Sequence, residues 1–193
     1  MARTGSTATF TFTSPGSATL TNTPELTFKA FAPGVKPVSY KLERMPAVRC
    51  DSVPSISGKS GGCVHPAAPP TFTLSRQDRQ VSEAALRVFD AQRKLAGDPG
   101  LFGQGKPLHR TMDKKLIAEN RGAAWPKRLP RPPGKSCDEF PFASIKEGGA
   151  SGNYSRRMIN AKHNIEADGS KYLLKAYRDH RILNGDAFWV NVT

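Results

Sequence analysis

The sequence predicts an α+β fold, and three observations carry that prediction. Thr alternates with apolar residues near the start, one amphipathic helix occupies the middle, and a strand, turn, strand, helix order fills the last third. At 193 residues the chain is long enough for one comfortable domain, or for a compact domain with a sizeable extension. No stretch approaches the roughly 20 apolar residues that span a bilayer. Met1 to Thr7 run directly into the Thr/Phe alternation without the apolar core of a secretory signal. Either the protein is not exported by that route, or the chain is a fragment or mature form.

Residues 7–31 alternate with period two, and Ser14-Pro15-Gly16 and Thr23-Pro24 break the pattern into short strands. These form either a small sheet or an exposed hairpin-like arm. Pro33-Gly34, Pro37 and Pro46 then punctuate a connector in which Val38 to Leu42 is a further strand. Cys50 and Cys63 enclose a Ser/Gly-rich loop, Asp51 to Gly62, as two free thiols or as a disulfide closing a segment with little to pack. Zinc is not expected, because no paired Cys/His spacing is present.

Phe72 to Leu74 reads as a strand. Val81, Ala84, Ala85, Val88, Phe89 and Leu95 then fall at helical spacing, an apolar stripe that covers a sheet and is read as core. Ser75 or Asp78 is placed to cap this helix, and Gly97-Asp98-Pro99-Gly100 to stop it. Residues 106–135 carry nine cations against Asp113 and Glu119. A short helix is predicted from Met112 to Asn120, and Pro126, Pro130, Pro132 and Pro133 make the rest a stiff, extended approach. The formal charge of +13 suits a polyanionic partner, of which nucleic acid is the commonest.

Phe140 to Ile145 reads as a strand, Glu147 to Gly152 as a turn, and Tyr154 to Ile159 as a second strand. Ala161 to Asn164 and Asp168-Gly169-Ser170 lead into a helix from Ser170 to Asp179. Phe188, Val190 and Val192 mark a closing strand with one buried face. Asp138, Glu139 and Glu147 sit in an aromatic and glycine frame. Adjacent acids on a strand point to opposite faces, so at least one of Asp138 and Glu139 is expected to look outward or into a cleft.

The run Asp138-Glu139-Phe140-Pro141-Phe142-Ala143, with Glu147-Gly148-Gly149, resembles the signature of the NucA/NucB-type deoxyribonucleases, small metal-dependent bacterial nucleases. The match continues through Arg157, Asn164, Gly169-Ser170, Tyr177 and Arg181 to Val190, and weakly upstream to Phe72. It implies a ββα-metal core over 136–193 within a nuclease domain at 72–193, with a small sheet and covering helices. A Cys-closed connector at 47–71 and a β-rich segment at 1–46 precede it.

The resemblance implies a catalytic group of Asp138, as the base that activates water, with Glu139 and Arg157. Asn164 and Glu147 are the implied ligands of a divalent ion, Mg2+ or Mn2+, whose hard charge suits oxygen donors. Lys127, Arg128, Arg131 and His163 are the implied phosphate contacts. For Glu139 and Glu147 a structural partnership competes evenly with a site role. DNA is the implied substrate, cleaved with little sequence preference, with RNA as a second one and an inhibitor or immunity protein as a partner. The implied protein is a secreted monomer without membrane contact, and secretion favours the Cys50–Cys63 bridge. Two departures stand out: His163 replaces the family's usual Asp, and Cys137 lacks its usual partner upstream, near Trp125. Cys137 is therefore expected to be free. His163 is as readily an uninvolved residue, and His65, His109 and His180 match no site pattern. The rival readings are a basic nucleic-acid-binding module that has lost turnover, and a secreted toxin or effector nuclease domain.

Overall fold

The computed structural model describes residues 9, 11, 19–53, 56, 61–126 and 129–193. The chain divides into two compact units, Met1–Ala67 and Ala68–Thr193. In the first, strands β1 (Leu20–Asn22), β4 (Val48–Asp51) and β5 (Gly62–Val64) form an antiparallel sheet in the order β1-β4-β5. Cys50 and Cys63 are cross-strand partners in it and are joined by a disulfide. β2 (Leu26–Ala32) and β3 (Val35–Leu42) form a separate hairpin that turns at Pro33-Gly34, where Gly34 takes the positive φ of 74° that a side chain would resist. Of the early alternation, Leu20–Asn22 is a sheet strand and Leu26–Ala32 one arm of an exposed hairpin, while residues 7, 8, 10 and 12–18 lie outside the described residues. Leu26, Phe28 and Ala30 pair with Leu42, Tyr40 and Val38 on one face of that hairpin.

The second unit holds the larger core. β6 (Thr71–Leu74) runs parallel to the closing strand β10 (Ala187–Val192), which pairs antiparallel with β7 (Leu108–His109) on its other side. Helix α1 (Ser82–Lys94) buries Ala84, Ala85, Val88 and Ala91 in the same core as Phe72, Phe188 and Val190. Neither Ser75 nor Asp78 caps it. Their side chains accept instead from Gln77 and Gln80 two residues on, closing local turns, and the helix begins only after Val81. Helix α2 (Lys114–Ala124) is capped by Asp113, whose Oδ1 accepts from Lys115 and Leu116, and it runs four residues past the predicted end.

Two predictions in the last third shift. The first strand, β8, is Lys135–Phe140 rather than 140–145; Pro141, which has no N–H to donate, ends it. It pairs with β9 (Ser155–Asn160). Ala161–Asp168 is a helix, α3, capped by the Asn160 side chain, and it precedes α4 (Leu173–Asp179). Periodicity missed α3 because its buried residues are Asn164 and Ala167, not an apolar stripe. Fold class is α+β, as predicted. Among the described residues no helix is long and apolar enough to cross a membrane.

Candidate active site

The β8–β9 hairpin places Asp138 opposite Arg157 and Glu139 opposite Arg156, and α3 continues directly from β9. Helix α1 turns a second, charged stripe to this hairpin. Glu83, Arg87 and Asp90 stand at i, i+4 and i+7 and so share one face. Glu83 Oε2 accepts from the Asn160 amide at 2.8 Å and from Lys135 Nζ at 3.1 Å. Asp90 Oδ2 accepts from Arg157 Nη2 at 2.8 Å. Between them lies Arg87, whose Nη2 donates to the carbonyls of Asp138, at 3.0 Å, and of Ser155, one on each strand.

The Asp138 carboxylate meets Arg87 Nε at 3.1 Å through Oδ2, but the pair is not aligned as a hydrogen bond, and among the described residues Oδ2 receives none. Burial pushes the Asp138 carboxyl up, while Arg87 and then Arg157 pull it down. Glu139 points the other way, toward the end of α2, where Trp125 Nε1 donates to its Oε2 at 2.6 Å. Burial pushes Glu139 up to about 7, against the Trp125 bond and with the help of the Asp138 charge. The two acids are only 4% and 6% exposed, so neither looks outward. α1 and α3 cover one face of β8 and α2 covers the other, which is how adjacent residues are both buried.

Asn164, buried on α3, donates from Nδ2 to Ser136 Oγ and to the Cys137 carbonyl, both at 2.9 Å. Among the described residues nothing donates to its Oδ1. Asp138 and Asn164 thus share one frame of hairpin and helix, and Cys137, free and buried, precedes Asp138 on β8 with its thiol turned toward α2. Glu147 stands apart, with both oxygens on His109: Oε2 accepts from the backbone amide at 3.0 Å, and Oε1 lies 2.6 Å from Nδ1. It borders a cleft of about 280 Å³ with Lys106, Pro107, Pro141 and Asn153. No hydrogen bond joins it to Asp138 or Asn164. His163 accepts at Nδ1 from the Glu83 amide, 3.3 Å away in the first turn of α1. Arg131 lies over the Trp125 ring at 5.7 Å, and Lys127 and Arg128 fall outside the described residues. Among the described residues no group of three or more His, Cys, Asp and Glu gathers as a metal cage.

Sequence reasoning missed Arg87, Glu83, Asp90, Trp125 and the His109 partnership. The first three carried a signal, charges at helical spacing beside the apolar stripe, whereas the other two depend on contacts that no local pattern encodes. No curated protein is similar enough to the chain to count as a match. The family description that does match is deoxyribonuclease NucA/NucB, over residues 103–191, a stretch that contains α2, β8, β9, α3 and α4 and nearly all of β10. Through that stretch the chain is similar to the NucA/NucB deoxyribonuclease family.

Proposed function

We propose that this protein is an endonuclease that hydrolyses the phosphodiester bonds of DNA with the aid of a divalent ion, Asp138 accepting the proton of the attacking water. The observation that carries this reading is the Asp138 carboxylate itself. It is buried, raised above the ordinary range, and keeps an oxygen to which nothing among the described residues donates, as a proton acceptor working near neutral pH requires.

The donor set fits an ion that keeps most of its water. Magnesium commonly takes only one or two protein oxygens, with water and substrate phosphate completing its shell. Asn164 is the residue that would hold it, through the amide oxygen left open by its two Nδ2 bonds; Glu147 is committed to His109. Such an ion, when bound, offsets the charge that develops on the scissile phosphate. Arg157, Arg156 and the cations of 106–135 other than Arg110, which is buried against Ile182 and Tyr177, hold the strand through its phosphates, contacts that carry no sequence information and extend to RNA. The Cys50–Cys63 disulfide supports an extracellular location.

The depth of Asp138, at 4% exposure, favours a second reading, a basic module that binds nucleic acid without turnover. Plasmid nicking in magnesium, manganese or EDTA separates the two. Metal-dependent nicking that falls roughly a hundredfold to ten-thousandfold in Asp138→Asn, with DNA affinity in EDTA retained, supports the enzyme. Binding without nicking by the wild-type chain in either metal leaves the module.

A further inference from the structure

We propose that Arg87 is a positioning residue for Asp138, holding that carboxylate in place from a helix that lies outside residues 103–191. The inference rests on the reading of Asp138 as the proton acceptor. Arg87 reaches the hairpin through one nitrogen, Nη2, that bridges β8 and β9 by bonding the carbonyls of Asp138 and Ser155. Its neighbours on α1 stop it from swinging away: Glu83 ties the helix to Lys135 and Asn160, and Asp90 ties it to Arg157.

The atoms left over point to function rather than stability. Arg87 Nε and Nη1 and Asp138 Oδ2 are buried without hydrogen-bond partners among the described residues, and buried polar atoms in folded proteins are nearly always satisfied. A pair placed for stability takes the two-pronged fork in which guanidinium and carboxylate satisfy each other, and apolar residues of like volume would hold the fold as well. Here the guanidinium spends its good bonds on the two backbones and offers the carboxylate only its charge. Asp138 is kept in one orientation, its Oδ2 buried 3.1 Å from Arg87 Nε and without a hydrogen bond among the described residues. The other charged groups that reach it are Arg157 from β9, Glu139 beside it on β8, and Asp168 at the exposed end of α3.

The test is a cycle on the full chain, read by plasmid nicking. Arg87→Lys retains the charge and loses the two-strand anchor. Its kcat should fall roughly a hundredfold, the size that a misplacement of about 1 Å carries, with KM and DNA affinity in EDTA within about twofold of wild type. Placed in the Asp138→Asn background, the same change should lower the residual rate no further, because both residues act at one carboxylate. Arg87→Gln in that background leaves no unpaired buried charge, so it carries the same comparison if Arg87→Lys alone fails to fold. A wild-type kcat in Arg87→Lys, or a further fall in either double variant, overturns the inference. Wild-type nicking by Asp138→Asn overturns instead the reading of Asp138 on which it rests.

Discussion

Glu139 shows how much a single buried carboxyl sets the behaviour of this site. Its folded-state value of about 7 stands above the ordinary 4.5, so between those values the folded chain holds a proton that the unfolded chain releases. Its contribution to stability is therefore fully present below about pH 4.5 and lost as pH rises through about 7. Glu139→Gln keeps an oxygen for the Trp125 N–H and removes the charge. Thermal unfolding should find this variant equal to wild type near pH 4 and more stable near pH 8; a difference independent of pH would show that the carboxyl titrates normally. Asp138 shifts in the same direction under burial but carries the Arg87 charge beside it, and this is the physical distinction between the two acids. The composition of 138–147 pointed to a site, and Asp138 and Asn164 do share a frame. Which carboxylate meets an arginine, which meets an indole and which meets a histidine was not legible, because Arg87 and His109 lie 51 and 38 residues from their partners.

Among the elements, the turn after β8 explains a motif that composition alone reads as catalytic. Asn120 of α2 is fully buried and donates from Nδ2 to the carbonyls of Ala143 and Ile145, while its Oδ1 accepts from the Ala150 amide. The turn therefore wraps onto α2 with no room for side chains. A Cβ on Gly149 would stand 2.5 Å from the Asn120 carbonyl oxygen, and one on Gly148 would strike the Asn120 amide. The glycines of Glu147-Gly148-Gly149 are thus required by close approach. Gly149→Ala should cost roughly 1–3 kcal/mol, the range for forcing extra volume into a packed site. Gly122→Ala, on the same helix with open space around it, should stabilise by up to about 1 kcal/mol. Equal shifts in unfolding temperature for the two variants would remove the packing account. α3 has the same lesson in reverse, since a helix held by polar contacts leaves no stripe for a periodicity reading to find.

At the scale of the whole molecule, the disulfide and the site belong to different units. The Cys50–Cys63 bridge lies in Met1–Ala67, and Asp138, Asn164 and Arg87 lie in Ala68–Thr193. Non-reducing mass analysis should find the native chain two hydrogens lighter than the reduced one. Cys137, 2% exposed, should alkylate only after unfolding. Reduction should lower the thermal stability of the first unit and leave nicking unchanged; loss of nicking on reduction would tie the site to that unit. The fragment 68–193 should fold and nick DNA. The fragment 103–193 should not fold, because it lacks β6 and α1, which carry Phe72, Leu74, Ala84 and Val88 of the core and Arg87 of the site; a folded, active 103–193 would show that α1 is dispensable. Fold class, the first helix, the closing strand and the strand, turn, strand order of the last third could be read from the chain, because periodicity and motif order are local properties of residues near one another; the bounds of the acid-bearing strand could not. The covering of β8 on both faces, the capture of Glu147 by His109 and the clamp of α1 on Asp138 arise only on folding, since each depends on which distant surfaces come to share a dry interface.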